Sequence, residues 1–186
     1  MILSSIISEM NSVCRSIPTY LQDTYNFTEA EASLVSTLLP LVSVAGPDIA
    51  IFIDKRIFKN EVTTSGVMFG VAALSLVAVV LLKGSMPLVA VALLALAMCC
   101  MWAVNTMILT FVPYRFGGLG ISSAVTGTLN CTAYISASCC TILYGGMAES
   151  QSWSATVLVW TAFAIGGAVA CFGLAALWKK FRPQNN

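Results

Sequence analysis

Charged residues punctuate this chain at wide intervals, and the stretches between them are apolar. No charge falls from Val62 to Leu82, from Gly84 to Tyr114, from Phe116 to Ala148 or from Ser150 to Trp178. Each stretch exceeds the roughly 20 residues a helix needs to cross a bilayer. The pattern predicts four uninterrupted transmembrane helices, over about 64–82, 88–112, 121–147 and 154–178. A fifth, over about 32–53, carries only Asp48, and a sixth, over about 2–21, carries Glu9 and Arg15. The expected fold class is all-α: a polytopic transmembrane six-helix bundle that forms a single domain over residues 1–186.

The charges between the helices are sorted by side. Lys55, Arg56 and Lys59 lie in the second connection, Arg115 in the fourth, and Lys179, Lys180 and Arg182 in the tail. The other side has Lys83 alone, with Asp23, Glu29, Glu31 and Glu149. The positive-inside rule then places loops two and four and the C-terminus in the cytoplasm. Six spans bring the N-terminus to the same side, so charge asymmetry and span parity agree. Trp153 and Trp178 bracket the last span, as aromatic belts do. Pro40, Gly46 and Pro47 should kink the second span.

Composition narrows the function classes. Hydrophobic residues make up 58% of the chain and charged ones 9%, too few to clothe a soluble surface. A net charge of +1 offers no basic excess for phosphate backbones, so no nucleic acid is expected as a partner. The partners expected are a lipid bilayer and a small-molecule solute. The chain has no His, which removes Ser-His-Asp triads, HExxH zinc sites and His-ligated haem. An intramembrane aspartyl protease would want two mid-membrane aspartates, and only Asp48 lies in a span. The chain therefore reads as no enzyme, with no cofactor and no metal. Its seven cysteines are odd in number, sit in apolar stretches and read as small hydrophobic packing residues. Met1 sits directly on an apolar stretch with no basic n-region, unlike a secretory signal.

Six spans divide as three plus three. Span one ends in Ile17-Pro18-Thr19-Tyr20 and span four in Val112-Pro113-Tyr114, matching Pro-interrupted ends of the kind an inverted transporter repeat shows. The run from Pro18 to Phe27, followed by Ala30-Glu-Ala-Ser-Leu34, resembles the end of helix seven and the next loop of a major facilitator superfamily transporter. The basic segment Ile53-Asp-Lys-Arg-Ile-Phe-Lys-Asn-Glu61 is similar to that superfamily's loop between helices eight and nine. Val112-Pro-Tyr-Arg-Phe116 and Ser123-Ala-Val-Thr-Gly-Thr-Leu-Asn-Cys-Thr-Ala-Tyr134 resemble its passage from helix ten into helix eleven. The nearest branch is the organophosphate antiporter-like group, which includes sugar-phosphate permeases.

The resemblance implies the C-terminal half of a twelve-helix secondary transporter, with Met1 inside helix seven. A missing N-terminal six-helix half would be its partner, and a bacterial inner membrane its location. It implies transport of a small polar solute, phosphorylated solutes included, by alternating access. One position departs from the pattern. Members that carry phosphorylated solutes have an arginine eight residues before the Pro of the Pro-Thr-Tyr segment, where this chain has Met10. The alternative reading is a truncated, non-transporting membrane fragment or a structural subunit.

Several polar residues within the spans are candidates for the site. Arg15 and Glu9 are the ionisable groups deepest in a span, and such groups face a cavity, find a partner or snorkel to the interface. Six positions apart, they point about 120° from each other. Arg15 shares a face with Asn11, and Glu9 is the candidate for ion coupling. Span five carries a stripe of Ser123, Thr126, Asn130, Tyr134, Ser138 and Thr141, and span four carries Asn105. Asn105, Asn130 and Tyr134 join Arg15 and Asn11 as substrate-cavity candidates. For the Ser and Thr hydroxyls, hydrogen bonding between neighbouring helices is the favoured role. Asp48 is expected to be hydrated near the interface or paired with Lys55 or Arg56. Gly66-x-x-x-Gly70 reads as a helix-packing face. Asn26-Phe-Thr28 and Asn130-Cys-Thr132 match glycosylation sequons, of which the second lies within a span.

Overall fold

The structure, a computed structural model, describes residues 17–82, 85–150 and 153–181. Among them there is no strand. Six helical runs follow one another: α1 over 17–25, α2 Glu29–Phe58, α3 Glu61–Leu82, α4 Pro87–Leu119, α5 Ser122–Ser150 and α6 Trp153–Phe181. Four of these, α2, α3, α4 and α6, are long and apolar enough to cross a membrane. Together with the scarcity of charge, they mark the chain as an α-helical membrane protein. The fifth long helix, α5, is the least apolar, because hydroxyl and amide residues interrupt its aliphatic run.

Local sequence sets the ends and breaks of the helices. Thr28 caps α2 in a capping box with Glu31: the Glu31 N–H donates to Thr28 Oγ1 at 3.4 Å, and the Thr28 N–H donates to Glu31 Oε2 at 2.9 Å. The helical ladder of α2 breaks at Val44, between segments Glu29–Ser43 and Ala45–Ile53. Pro40 and Pro47 flank the break, and each lacks the N–H that would bond four residues back. The break falls in the stretch where Pro40, Gly46 and Pro47 are expected to kink the span. A wide π turn, Asp54–Phe58, ends the run, and Lys59 closes it at φ 51°, with its N–H donating to Asp54 O at 2.7 Å.

The fourth helix outruns the expected end at about 112. Its α-helical part, Pro87–Thr106, opens with Pro87 at the first turn, where a missing N–H costs nothing. A second π turn, Met107–Phe111, lets the Val112 N–H reach Met107 O five residues back. The wider turn admits Pro113 without ending the run, which closes in a 3-10 turn, Gly117–Leu119, and Gly120 at φ 70°.

The core is built on α3, which packs most extensively on α6 and then on α4. Phe69 is fully buried and lies where a Cβ on Gly167 would be 2.9 Å from its ring. Gly66 faces Cys171 and Phe172 of α6, whereas Gly70 meets nothing within 4 Å, so only one end of the glycine pair packs. On the other flank α2 lies against α4. There Gly46 approaches so closely that a Cβ would stand 2.1 Å from the Cys99 carbonyl oxygen. Further along the same interface an apolar groove of about 200 Å³ opens between Val35, Leu38 and Leu39 of α2 and Leu88, Val91 and Ala92 of α4.

Candidate functional site

The most constrained polar cluster lies at the basic end of the bundle. Glu61, at the first turn of α3, is 1% exposed, yet it carries a carboxylate. Arg115 pairs with it, and its Nε donates to Glu61 Oε1 at 2.7 Å. The second carboxylate oxygen accepts from Trp178 Nε1 at 3.3 Å. The Trp178 ring also lies against Phe116, with centroids 6.0 Å apart. One buried charge thus joins the first turn of α3, the end of α4 and the last turns of α6. A buried carboxylate needs a countercharge and filled hydrogen-bond positions, and both are supplied here.

Asp54 and Asn60 complete the cluster. Asp54 Oδ1 accepts from the Asn60 N–H at 3.0 Å and from Thr64 Oγ1 at 2.7 Å. Asn60 caps α3, with Oδ1 accepting from the Val62 and Thr63 N–H groups at 3.1 and 3.4 Å. Its Nδ2 donates to Ala175 O of α6 at 3.4 Å. Both acids at this end are therefore committed to internal partners. The chemistry of the cluster is a structural clamp: it holds charge still and offers no free acid or base.

None of these residues figured among the sequence candidates. Asp54, Glu61 and Arg115 read as loop charges, and their spacing carries no sign of the pairing. Trp178 read as a belt residue; its indole N–H instead serves the buried carboxylate.

Of the candidates, Arg15, Asn11 and Glu9 lie outside the described residues. Asn105 is half-buried in α4, and its Oδ1 is buried with no hydrogen-bond partner among the described residues. Asn130 is half-buried and Tyr134 is 74% exposed, both on one face of α5. The structure does not bring Asn105 to them. The contacts of α5 with α4 fall on Met107–Phe111 and Val112–Tyr114, beyond Asn105. The packing of α5 is the lightest among the long helices, and Tyr134 and Ser138 stand exposed on it.

The hydroxyls depart from the expected role. Ser36, Thr37, Ser43, Ser65, Ser75, Thr106, Thr126, Thr128 and Thr161 each donate to the carbonyl four residues back in their own helix. Ser138 does the same to Tyr134 O at 3.0 Å. That acceptor is always within reach in a helix, so it satisfies the hydroxyl before a neighbouring helix does. Thr64 to Asp54 and Ser122 to Pro113 O are two bonds that leave the local turn. Asp48 is exposed, and Arg56 stacks its guanidinium over the Phe52 ring at 5.5 Å. Asn26 sits in a left-handed turn at φ 54°, and the Thr28 of its sequon is occupied as a helix cap.

Cys99, Cys100, Cys131, Cys139 and Cys171 are free thiols, and Cys171 packs against Gly66. Among the described residues no cluster of Cys, Asp and Glu is placed to hold a metal. No protein-family profile, curated protein or solved structure matches the chain.

Proposed function

We propose that the chain is the C-terminal six-helix half of a secondary transporter of the major facilitator type. It moves a small polar solute, phosphorylated solutes included, by alternating access. The observation that carries this reading is the polar stripe of α5, with Asn130 half-buried and Tyr134 exposed, on the long helix that packs most lightly. In lipid such a face needs water, a solute or a second bundle opposite it. The unpartnered oxygen of Asn105 supports the same reading, because a buried amide acceptor calls for a donor. A missing N-terminal six-helix half supplies the opposite wall of the path. The basic end then lies in the cytoplasm with both termini, in a bacterial inner membrane.

The test is reconstitution. The chain is placed in nanodiscs, alone and with the N-terminal half of a sugar-phosphate permease. Binding of hexose phosphates and of the free hexoses is measured by calorimetry. Saturable binding by the paired halves, weakened by Asn105→Ala and Tyr134→Ala, supports the proposal. No binding in either form points to a non-transporting fragment or structural subunit, a reading that Met10 in the arginine position favours.

A further inference from the structure

The basic end holds more positive charge than its acids use. Glu61 is taken by Arg115 and Trp178, and Asp54 by Asn60 and Thr64. Lys55, Arg56, Lys179 and Lys180 are all exposed, and none has a carboxylate partner among the described residues. The fold brings the end of α6 against the α2–α3 loop. Ala175 O accepts from Asn60 of the α2–α3 loop, and Lys179 lies one helical turn beyond Ala175 on the same face. Lys179 therefore stands beside the α2–α3 loop at Asn60, which follows the π turn that carries Lys55 and Arg56. Lys180 lies one position round from it, above Leu177, which is 62% exposed. The C-terminal end of α6 carries the negative pole of the helix, which favours the lysines but neutralises neither.

We infer that this corner binds an anionic phospholipid, with its headgroup phosphate between Lys179, Lys180 and the α2–α3 loop. Its acyl chain lies along the exposed apolar face of α6 at Leu174 and Leu177. Two features select a lipid over a free phosphate ion. The cations crown a lipid-facing apolar surface, and Trp178 fixes the height of the corner through its bond to Glu61. Juxtamembrane cations of this kind attract acidic lipid surfaces. The inference stands apart from transport and holds for a non-transporting bundle as well.

The test is native mass spectrometry of the full, delipidated chain titrated with dioleoyl phosphatidylglycerol and with dioleoyl phosphatidylcholine. Phosphatidylglycerol should be retained more tightly. Lys179→Gln with Lys180→Gln should cut that preference, on the order of five-fold per lysine removed. Lys179→Arg with Lys180→Arg should keep it, which separates charge from damage to α6. Equal retention of the two lipids, or a preference untouched by the glutamine pair, overturns the inference. Displacement of the lipid by inorganic phosphate at equal concentration overturns it too, since the corner would then recognise phosphate alone.

Discussion

Arg115 Nε donates to Glu61 Oε1 at 2.7 Å, across 54 positions of chain. The pair is asymmetric: the carboxylate is 1% exposed, while the guanidinium side chain keeps 26% of its surface. Losing the arginine strands a buried charge, whereas losing the acid leaves a cation that can still reach water.

Arg115→Ala should therefore destabilise the bundle by about 3 kcal/mol or more, the range for breaking a buried pair from one side. Glu61→Gln should cost less than half as much, because the amide still accepts from Trp178. The double variant should recover part of the Arg115→Ala loss. Unfolding in detergent, run as a double-mutant cycle, checks this; additivity within about 0.5 kcal/mol would show the pair to be uncoupled.

Gly46→Ala and Gly70→Ala form a matched test of packing. At Gly46 the new methyl meets the Cys99 carbonyl oxygen at 2.1 Å, and a backbone atom cannot swing aside as a side chain can. The helices must separate, at a cost of about 1–3 kcal/mol. Gly70 has nothing within 4 Å, so alanine there should be neutral or gain up to about 1 kcal/mol from helix propensity. Equal effects at the two sites would contradict the interface described.

The capping box at the start of α2 gives a pH dependence. Hydrogen bonds from the Thr28 backbone and side chain hold the Glu31 carboxyl below the usual glutamate range. A lowered value means the ionised form stabilises the fold. That contribution is complete at neutral pH, begins to fade in the ordinary glutamate range and is gone once pH falls below the lowered value. Thr28→Ala should raise the Glu31 titration toward the usual range and flatten this acid-side loss. Carboxyl-carbon NMR titration of Glu31 in both proteins reads the shift, and an unchanged midpoint would refute the assignment.

The open face of α5 predicts a pattern of chemical access. In a background with all seven cysteines replaced by Ala or Ser, Tyr134→Cys and Ser138→Cys should react with a water-soluble maleimide in the paired-half nanodisc. Cys introduced at Leu158 or Val169 of α6, both exposed and flanked by apolar residues, should not react. Labelling of all four positions alike, or of none, would remove the aqueous path from the proposal.

The charge gaps made the long helices legible, because a charge inside lipid is costly wherever it stands. Pro40 and Pro47 marked the α2 break for a local reason, the missing N–H. The fate of Glu61 was not legible. Its partners lie far along the chain, and a loop acid looks alike whether it is solvated or buried. Pro113 misled in the opposite direction: proline argues for a helix end, but the π turn before it absorbs the ring. The hydroxyl stripe of α5 was visible by spacing. Its bonding was not, since a serine reaching its own turn and one reaching a neighbour share the same letter.

The Val44 break divides α2 into two arms with unequal footing. The arm from Ala45 onward comes within backbone reach of α4, where Gly46 lies against the Cys99 carbonyl. The arm from Glu29 to Ser43 packs on α4 through side chains that also line the apolar groove, among them Val35, Leu38 and Leu39. The two arms therefore meet α4 by different means, the first through side chains around the groove and the second through backbone at Gly46.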